Sequence, residues 1–280
     1  MLRIWAPAKL NLTLEVLGRR GDGYHEIRSV VAKLALADLV YVETGLGGLD
    51  VRCDHPGVPS GPGNLAYSAA LKYFEQLGCG PGARIVISKK IPVAAGLGGG
   101  SSDAAAVLRA LNAAYGNPLT MDRLQDIAAQ VGSDVPLFLA GPLVLVEGRG
   151  ERLSDLPGAT RRNVLLIHPG GWLSTGVVYR RSDGLPLINP CSQAVAAAMA
   201  RKDERAVRQN LGNALEAAAC DCHPAIGRLL ASLRRAGYTA HLTGSGPCCY
   251  VWDADPSVVR HVSEMARVHG WCVLVTHTLE

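Results

Sequence analysis

The sequence predicts an α+β fold of two domains, residues 1–157 and residues 158–280. Three observations predict it. Residues 9–16 and 38–43 alternate apolar and polar side chains with the period of strands. A glycine-rich run near residue 98 is followed by two segments with helical spacing of their apolar residues. The second part of the chain has the order β-α-β-β-α-β, which is typical of a split βαβ unit.

In the first domain, a strand is predicted over residues 9–16, because Leu10, Leu12, Leu14 and Val16 share one face. Strands over 27–36 and 38–43 follow. Helices are predicted over 64–77, 101–115 and 121–131, with strands over 84–88 and 143–147. Ser101 or Ser102 is the expected N-cap of the helix after the glycine run, because hydroxyl side chains favour that position.

The second domain begins after a segment, residues 153–162, that is rich in Pro, Gly and charge. A strand over 164–168 is followed by helices over 192–199, 204–218 and 224–236. Strands over 241–243 and 249–252, a helix over 256–269 and a strand over 271–276 complete the pattern.

The composition excludes several classes of protein. Hydrophobic residues make up 48% and charged residues 19%, which favours a folded core over disorder. A net charge of +4 is too weak to indicate nucleic-acid binding. The eight cysteines form no C-x-x-C pair, and no apolar run approaches the ~20 residues of a membrane span. We therefore expect a cytoplasmic protein without a nucleic-acid or membrane partner, either a monomer or a homodimer.

The run from residue 92 to residue 102 predicts a phosphate-binding loop. Gly98, Gly99 and Gly100 let the backbone approach a ligand, and the N–H groups at the start of the next helix favour an anion. The run is not a Walker loop, since no Lys precedes Ser101, and Ser101 replaces the third glycine of the dinucleotide fingerprint. A flexible connector is the alternative, but three glycines are costly to order.

Four other segments carry side chains suited to chemistry. Asp134 follows a helix and could accept a proton from a hydroxyl, or simply close an Asx-turn. Lys9 enters an apolar strand, where it could pair with an Asp and a phosphate or reach water. Tyr24 and His25 could stack on a base, or be ordinary loop residues. Residues 243–247 form a second glycine-rich turn, either a hairpin or a phosphate cover.

Taken together, these motifs resemble one family. The run Pro7-Ala8-Lys9-Leu10-Asn11, the loop 92–102 and the turn 243–247 occur in the order seen in the kinase superfamily named for galactokinase, homoserine kinase, mevalonate kinase and phosphomevalonate kinase. Within it, A-K-L-N-L with D-G-Y-H downstream, G-L-G-G-G-S-S-D-A and G-S-D-V-P resemble the 4-diphosphocytidyl-2-C-methyl-D-erythritol kinases.

The resemblance implies a GHMP-kinase-like fold, with an N-terminal domain like domain 2 of ribosomal protein S5 and a ferredoxin-like C-terminal domain. It implies transfer of the γ-phosphate of ATP, with Mg²⁺, to the 2-hydroxyl of a cytidine-linked methylerythritol, a step of non-mevalonate isoprenoid biosynthesis. The alternatives are a kinase of the same superfamily for homoserine, mevalonate or a sugar, and a non-catalytic nucleotide or RNA binder with an S5-like fold.

The resemblance also implies roles for individual residues. Lys9 and Asp134 match the catalytic pair, and no evident Glu matches a magnesium ligand, so the metal ligands stay unknown. The residues that match the ATP site are Pro92, Val93, Ala94, Ala95, Gly96, Leu97, Gly98, Gly99, Gly100, Ser101 and Ser102, with Asn64 and Lys89 near the adenine. The residues that match the substrate site are Asn11, Tyr24, His25, Thr175, Tyr179, Gly244 and Ser245.

Two of these positions depart from the family pattern. Ala94 and Ala95 stand where relatives often have Gly. An Ala is tolerated there unless the backbone needs a positive φ.

Overall fold

The computed structural model describes residues 1–280 and divides into two compact units. Unit 1 comprises Met1–Ala8, Leu36–Val93 and Gly98–Gly141, and unit 2 comprises Lys9–Ala35, Ala94–Leu97 and Pro142–Glu280. Strands β1 (Leu2–Asn11) and β3 (His25–Thr44) contribute residues to both units. The units are therefore not consecutive in the chain and do not follow the single boundary predicted after residue 157.

Unit 1 contains two strands and three helices besides its parts of β1 and β3. They are β4 (Gly48–Cys53), α1 (Leu65–Leu77), β5 (Gly82–Ser88), α2 (Gly99–Ala114) and α3 (Met121–Val131), with 3₁₀ turns at Gly61–Gly63 and Pro136–Leu139. Strand β5 pairs antiparallel with the end of β3 and parallel with β4. Ile85 and Ile87 of β5 are fully buried, so these alternate positions of the strand face the core.

Unit 2 contains the remaining strands and helices. They are β2 (Thr13–Arg19), β6 (Leu143–Gly148), β7 (Arg152–Asp155), β8 (Asn163–His168), α4 (Thr175–Ser182), α5 (Ser192–Ala200), α6 (Glu204–Asn210), β9 (Gly212–Asn213), α7 (Glu216–Cys222), α8 (Pro224–Arg235), β10 (Ala240–Leu242), β11 (Cys249–Trp252), α9 (Pro256–His269) and β12 (Cys272–His277). Strands β2 and β6 pair antiparallel with the first half of β3.

The predicted split βαβ unit is confirmed in unit 2. Strands β8, β10, β11 and β12 form an antiparallel sheet in the order β10-β11-β8-β12. Helices α7 and α8 follow β8, and α9 connects β11 to β12, which is the ferredoxin-like topology. Leu165 and Ile167 of β8 are buried in one cluster with Leu229 and Leu233 of α8.

Several predicted elements are corrected by the structure. The strands expected over 27–36 and 38–43 are one strand of 20 residues, β3. The helix expected over 204–218 is two helices, because Gly212 and Asn213 between them pair with β2. Strands β4 and β7 and helix α4 were not predicted. None of the helices is long and apolar enough to cross a membrane.

Candidate active site

The glycine run leads directly into helix α2 of unit 1. The N-cap of α2 is Gly98, with φ 74° and ψ 17°, and not Ser101 or Ser102 as predicted. An L side chain is disfavoured in this left-handed conformation, so glycine is required there. Gly99 and Gly100 begin the helix, and no side chain caps its first N–H groups. Uncapped N–H groups and the helix dipole favour a bound phosphate at this end.

Two buried oxygen atoms near the start of α2 have no hydrogen-bond partner within the protein. They are Ser102 Oγ and Asp103 Oδ1, and both residues are about 1% exposed. A buried polar atom without a partner is costly unless a ligand satisfies it. Hydroxyl and carboxylate oxygens are ligands that Mg²⁺ accepts, so these two residues fit a phosphate-bound magnesium ion.

A buried cluster of three charged residues lies behind the start of α2. Lys89 Nζ is 2.5 Å from Asp38 Oδ2 and 2.7 Å from Asp103 Oδ2, and the three side chains are at most 5% exposed. Asp38 Oδ1 also accepts hydrogen bonds from the backbone N–H groups of Lys90 and Ile91, at 2.5 and 2.8 Å. A Cβ on Gly99 would lie 3.1 Å from Lys89 Nζ, so the cluster packs directly against the helix start.

The charges of this cluster are unevenly balanced, with two carboxylates for one ammonium. Burial raises the pKa of Asp103 to about 7, against the opposing attraction of Lys89. Burial lowers the pKa of Lys89, but the two carboxylates outweigh burial and raise it. Sequence reasoning missed Asp38, and placed Lys89 near the adenine. In the structure the ammonium of Lys89 is engaged by the carboxylates of Asp38 and Asp103. A contact of Lys89 with the adenine stays a prediction.

The two other predicted residues of unit 1 differ in how they are held. Asn64 is the N-cap of α1: its Oδ1 accepts from the N–H of Ala66 at 2.9 Å, and its Nδ2 donates to the carbonyl of Pro59 at 2.8 Å. Asp134 lies in the turn after α3, before the 3₁₀ turn Pro136–Leu139. It is exposed and makes no hydrogen bond or ion pair within the described chain, so its carboxylate is available to a substrate.

In unit 2, Lys9 and Asn11 lie together at the end of β1. Lys9 Nζ donates a hydrogen bond to Asn11 Oδ1, and both residues are less than 10% exposed. Asn11 Nδ2 donates to Ser29 Oγ at 2.8 Å, and the N–H of Asn11 donates to Thr243 Oγ1 at 3.0 Å. Lys9 therefore lies in a buried polar network. Its side chain does not reach water, as the alternative for a lysine at a strand end would require.

Within unit 2, the segment Ala94–Leu97 and the turn over residues 243–247 approach each other at the level of the backbone. A Cβ on Gly244 would lie 3.1 Å from Lys9 Nζ and 3.2 Å from the carbonyl oxygen of Gly96. A Cβ on Gly96 would lie 3.0 Å from the carbonyl oxygen of Gly246. Both glycines have a positive φ, 58° and 77°. The structure therefore brings Lys9, Gly96 and Gly244 together, and a side chain at either glycine would prevent it.

Ala94 adopts a positive φ of 56°, which is the conformation for which a Gly would have been needed. We expect Ala94→Gly to stabilise the unliganded protein by about 0.5–1 kcal/mol, because it relieves left-handed strain. Ala95 is 1% exposed and is not among the residues with positive φ. Ala95→Gly is the matched control, and should instead lower stability by roughly 1 kcal/mol. Urea unfolding measures both, and equal signs would contradict the strain.

The remaining predicted residues of unit 2 form a second group. The rings of His25 and Tyr179 are 5.0 Å apart, and His25 Nε2 is 2.6 Å from Asp183 Oδ1. Tyr24 is 54% exposed in the turn between β2 and β3, with the guanidinium of Arg149 5.4 Å from its ring centre. An exposed aromatic ring can stack on a planar ligand. No local signal in the sequence points to Asp183.

The turn over residues 243–247 is tied to the start of α4. Thr175 Oγ1 and Ser245 Oγ are 2.8 Å apart and share a hydrogen bond. Thr175 is the first residue of α4, and Tyr179 lies one turn later on the same helix. The predicted substrate residues Thr175, Ser245 and Tyr179 thus come from connected parts of unit 2.

The chain matches two family models. They are the GHMP kinases N terminal domain, over residues 64–142, and the GHMP kinases C terminal domain, over residues 195–268. These ranges contain the glycine run and the 243–247 turn, respectively.

Relatives match over nearly the whole chain. The 4-diphosphocytidyl-2-C-methyl-D-erythritol kinase of Moorella thermoacetica is 38% identical over 284 residues, which cover 100% of this chain and 99% of the relative. The protein of the same name from Symbiobacterium thermophilum is 43% identical over 249 residues, covering 88% of each.

Solved structures agree with these relatives. A crystal structure of 4-(cytidine 5'-diphospho)-2C-methyl-D-erythritol kinase matches with a TM-score of 0.82 and 35% identity, and covers 100% of both chains. Homoserine kinase from Cytophaga hutchinsonii matches with a TM-score of 0.75 but 20% identity, over 99% of this chain and 94% of that one, and so shows the fold alone. The predicted fold class is confirmed: the chain belongs to the 4-diphosphocytidyl-2-C-methyl-D-erythritol kinase family of the GHMP kinases, and is an ATP-dependent small-molecule kinase.

Proposed function

We propose that this kinase transfers the γ-phosphoryl group of ATP to the 2-hydroxyl of 4-(cytidine 5'-diphospho)-2-C-methyl-D-erythritol, giving the 2-phosphate and ADP. The reaction belongs to non-mevalonate isoprenoid biosynthesis. The observation that carries the substrate assignment is the 5.0 Å approach of the His25 and Tyr179 rings, together with the exposed side chain of Tyr24, the residue before His25. Homoserine, mevalonate and sugars have no base, so they would leave these rings without a use.

The phosphates of ATP would bind along residues 92–102, against the uncapped N–H groups of α2. Phosphoryl transfer needs positioning and charge stabilisation more than covalent chemistry. Ser102 and Asp103 are the residues that would hold Mg²⁺, because their buried oxygens lack a partner. Bound there, the ion would neutralise charge on the phosphate oxygens.

Catalytic roles are proposed for two residues. Asp134 would accept the proton of the 2-hydroxyl or hold that hydroxyl in line with the γ-phosphorus. Lys9 would stabilise the negative charge that develops on the transferred group. The hydrogen bond from Lys9 to Asn11 supports this role, because it fixes a buried ammonium close to the 243–247 turn.

The base and the reacting hydroxyl lie at opposite ends of the substrate. Stacking on Tyr24 and Tyr179 and hydrogen bonding at His25 would supply binding energy far from the reaction. Binding energy from a remote group can be used to orient the reacting end. We also propose that the enzyme acts in the cytoplasm as a monomer or homodimer, without nucleic acid; its eight free thiols support a reducing compartment.

An ADP-release assay with matched acceptors tests this function. We expect turnover with the cytidyl-methylerythritol acceptor, and at least about 100-fold lower kcat/KM with homoserine or mevalonate, because they lack the base that provides remote binding energy. ATP hydrolysis without acceptor is the background to subtract. Preference for homoserine or mevalonate would refute the proposed substrate.

A further inference from the structure

In unit 2, the side chains of His25 and Asp183 form a hydrogen-bonded pair next to the ring of Tyr179. His25 Nε2 is 2.6 Å from Asp183 Oδ1, and Arg19 Nη1 is 3.8 Å from Asp183 Oδ2. The side chain of His25 is 8% exposed and that of Asp183 is 34% exposed. Asp183 directly follows α4 and lies four residues after Tyr179. Neither the motifs nor the resemblance gives Asp183 a role.

The chemistry of the pair decides which ring nitrogen carries the proton. The hydrogen bond from His25 lowers the pKa of Asp183, so this carboxyl is ionised at neutral pH. A carboxylate can only accept, so Nε2 of His25 must be the protonated nitrogen. In the neutral ring the lone pair is then on Nδ1. His25 Nδ1 has no hydrogen-bond partner in the described chain, so it is available to a ligand.

An acceptor at Nδ1 distinguishes the two common pyrimidines. Cytosine carries an exocyclic amine, which donates, where uracil carries a carbonyl oxygen, which accepts. A lone pair directed at this position gains a hydrogen bond from cytosine. The same lone pair meets another acceptor in uracil, which is a repulsive contact and therefore adds to discrimination. The opposite tautomer, with Nδ1–H, would reverse the preference.

We propose that Asp183 is a positioning residue that fixes His25 as the Nε2–H tautomer and thereby makes the site select cytosine over uracil. This inference rests on the proposed function, since recognition of the base by His25 is part of it. Asp183 itself need not touch the substrate.

The decisive measurement is a ratio of specificities. For each enzyme, kcat/KM is determined with the cytidine diphosphate-linked methylerythritol and with its uridine diphosphate-linked analogue. We expect Asp183→Ala to lower the cytidyl-to-uridyl ratio by about tenfold, since one hydrogen bond and one repulsion lose their fixed geometry. Asp183→Glu, which keeps an acceptor, should restore part of the ratio. Any loss of folded protein cancels, because it changes both values of kcat/KM equally.

The chain offers a matched control. Asp221 pairs with Arg181 of α4 at 2.6 Å, and its side chain is 48% exposed. Asp221→Ala therefore removes a carboxylate of α7 that pairs with α4, the helix before Asp183, and it leaves the contact of His25 unchanged. We expect its cytidyl-to-uridyl ratio to equal that of the wild type.

A second measurement reads the tautomer without any substrate. In ¹⁵N-histidine-labelled protein, the nitrogen shifts of His25 should show Nε2–H in the wild type and a mixture of both tautomers in Asp183→Ala. Nδ1–H in the wild type, or an unchanged specificity ratio in Asp183→Ala, would overturn the inference alone. A wild-type enzyme that does not phosphorylate the cytidyl substrate would overturn the proposed function, and the inference with it.

Discussion

Asp134→Asn is expected to lower kcat by about 10³-fold while the affinity for ATP stays nearly unchanged. A positioned general base typically contributes 10²–10⁴-fold, and Asn cannot accept the proton. Asp134 is exposed and has no partner in the described chain, so the substitution breaks no contact of the fold. Its effect should therefore appear in turnover and not in stability.

The measurement is kcat from ADP release, with ATP affinity from calorimetry on the same preparations. Asp126 is a matched control. It lies on α3 and pairs with Arg123 at 3.4 Å, and both side chains are exposed. Asp126→Asn should change neither quantity, because an exposed pair contributes little. If Asp134→Asn keeps full activity, Asp134 has no part in the mechanism. If it loses ATP binding to the same degree as turnover, its role is in nucleotide binding.

How well the sequence predicts elements depends on whether their ends are encoded locally. The bounds of α3 and α9 agree with the prediction, since Thr120 and Asp255 cap them with side-chain hydrogen bonds. Helix α2 begins two residues before the predicted start, because Gly98 provides a left-handed backbone cap that no side-chain preference reveals. Apolar spacing places Met121 on the same face of α3 as Leu124 and Ala128, but only Leu124 and Ala128 are buried and Met121 is 51% exposed.

Long-range partners explain what the sequence could not reveal. Asp38 is the first residue of the second of the two strands predicted here, and in the structure it lies inside the continuous strand β3. Its charge is tolerated in one continuous strand because Lys89, 51 residues away, neutralises it. The motifs around Lys9, Gly96 and Gly244 were recognisable, but only the fold shows that their atoms meet. The pairing of His25 with Asp183 spans 158 residues and has no sequence pattern at all.

Lys89→Met is expected to lower the free energy of unfolding by about 3–5 kcal/mol, because it leaves buried carboxylates without their cation. The side chains of Asp38 and Asp103 are 0% and 2% exposed, so water cannot replace the ammonium. The start of α2 should also shift, since Lys89 Nζ lies 3.1 Å from the position of a Cβ on Gly99. The KM for ATP is therefore expected to rise as well.

The loss of unfolding free energy in Lys89→Met should depend on pH, because Asp103 is buried and titrates near neutrality. The pKa of Asp103 is raised to about 7 in the folded protein, from an ordinary value of 3.8. A carboxyl whose pKa is higher in the folded than in the unfolded protein stabilises the fold at pH values below its unfolded pKa. This stabilisation is lost as the pH rises through 7, the pKa of Asp103 in the folded protein. Without Lys89, the charged form of Asp103 loses its attraction, so the variant should lose more stability at pH 8 than at pH 5.

Urea unfolding of the wild type and the variant at both pH values tests this expectation. Lys90→Met is the matched control, because Lys90 is the exposed neighbour and only its backbone N–H contacts Asp38. It should cost less than about 0.5 kcal/mol at either pH, as surface substitutions usually do. Adding Asp103→Asn to Lys89→Met should recover part of the loss at pH 8, since it removes one of two like charges. If the double variant recovers nothing, the cost comes from lost packing and not from uncompensated charge.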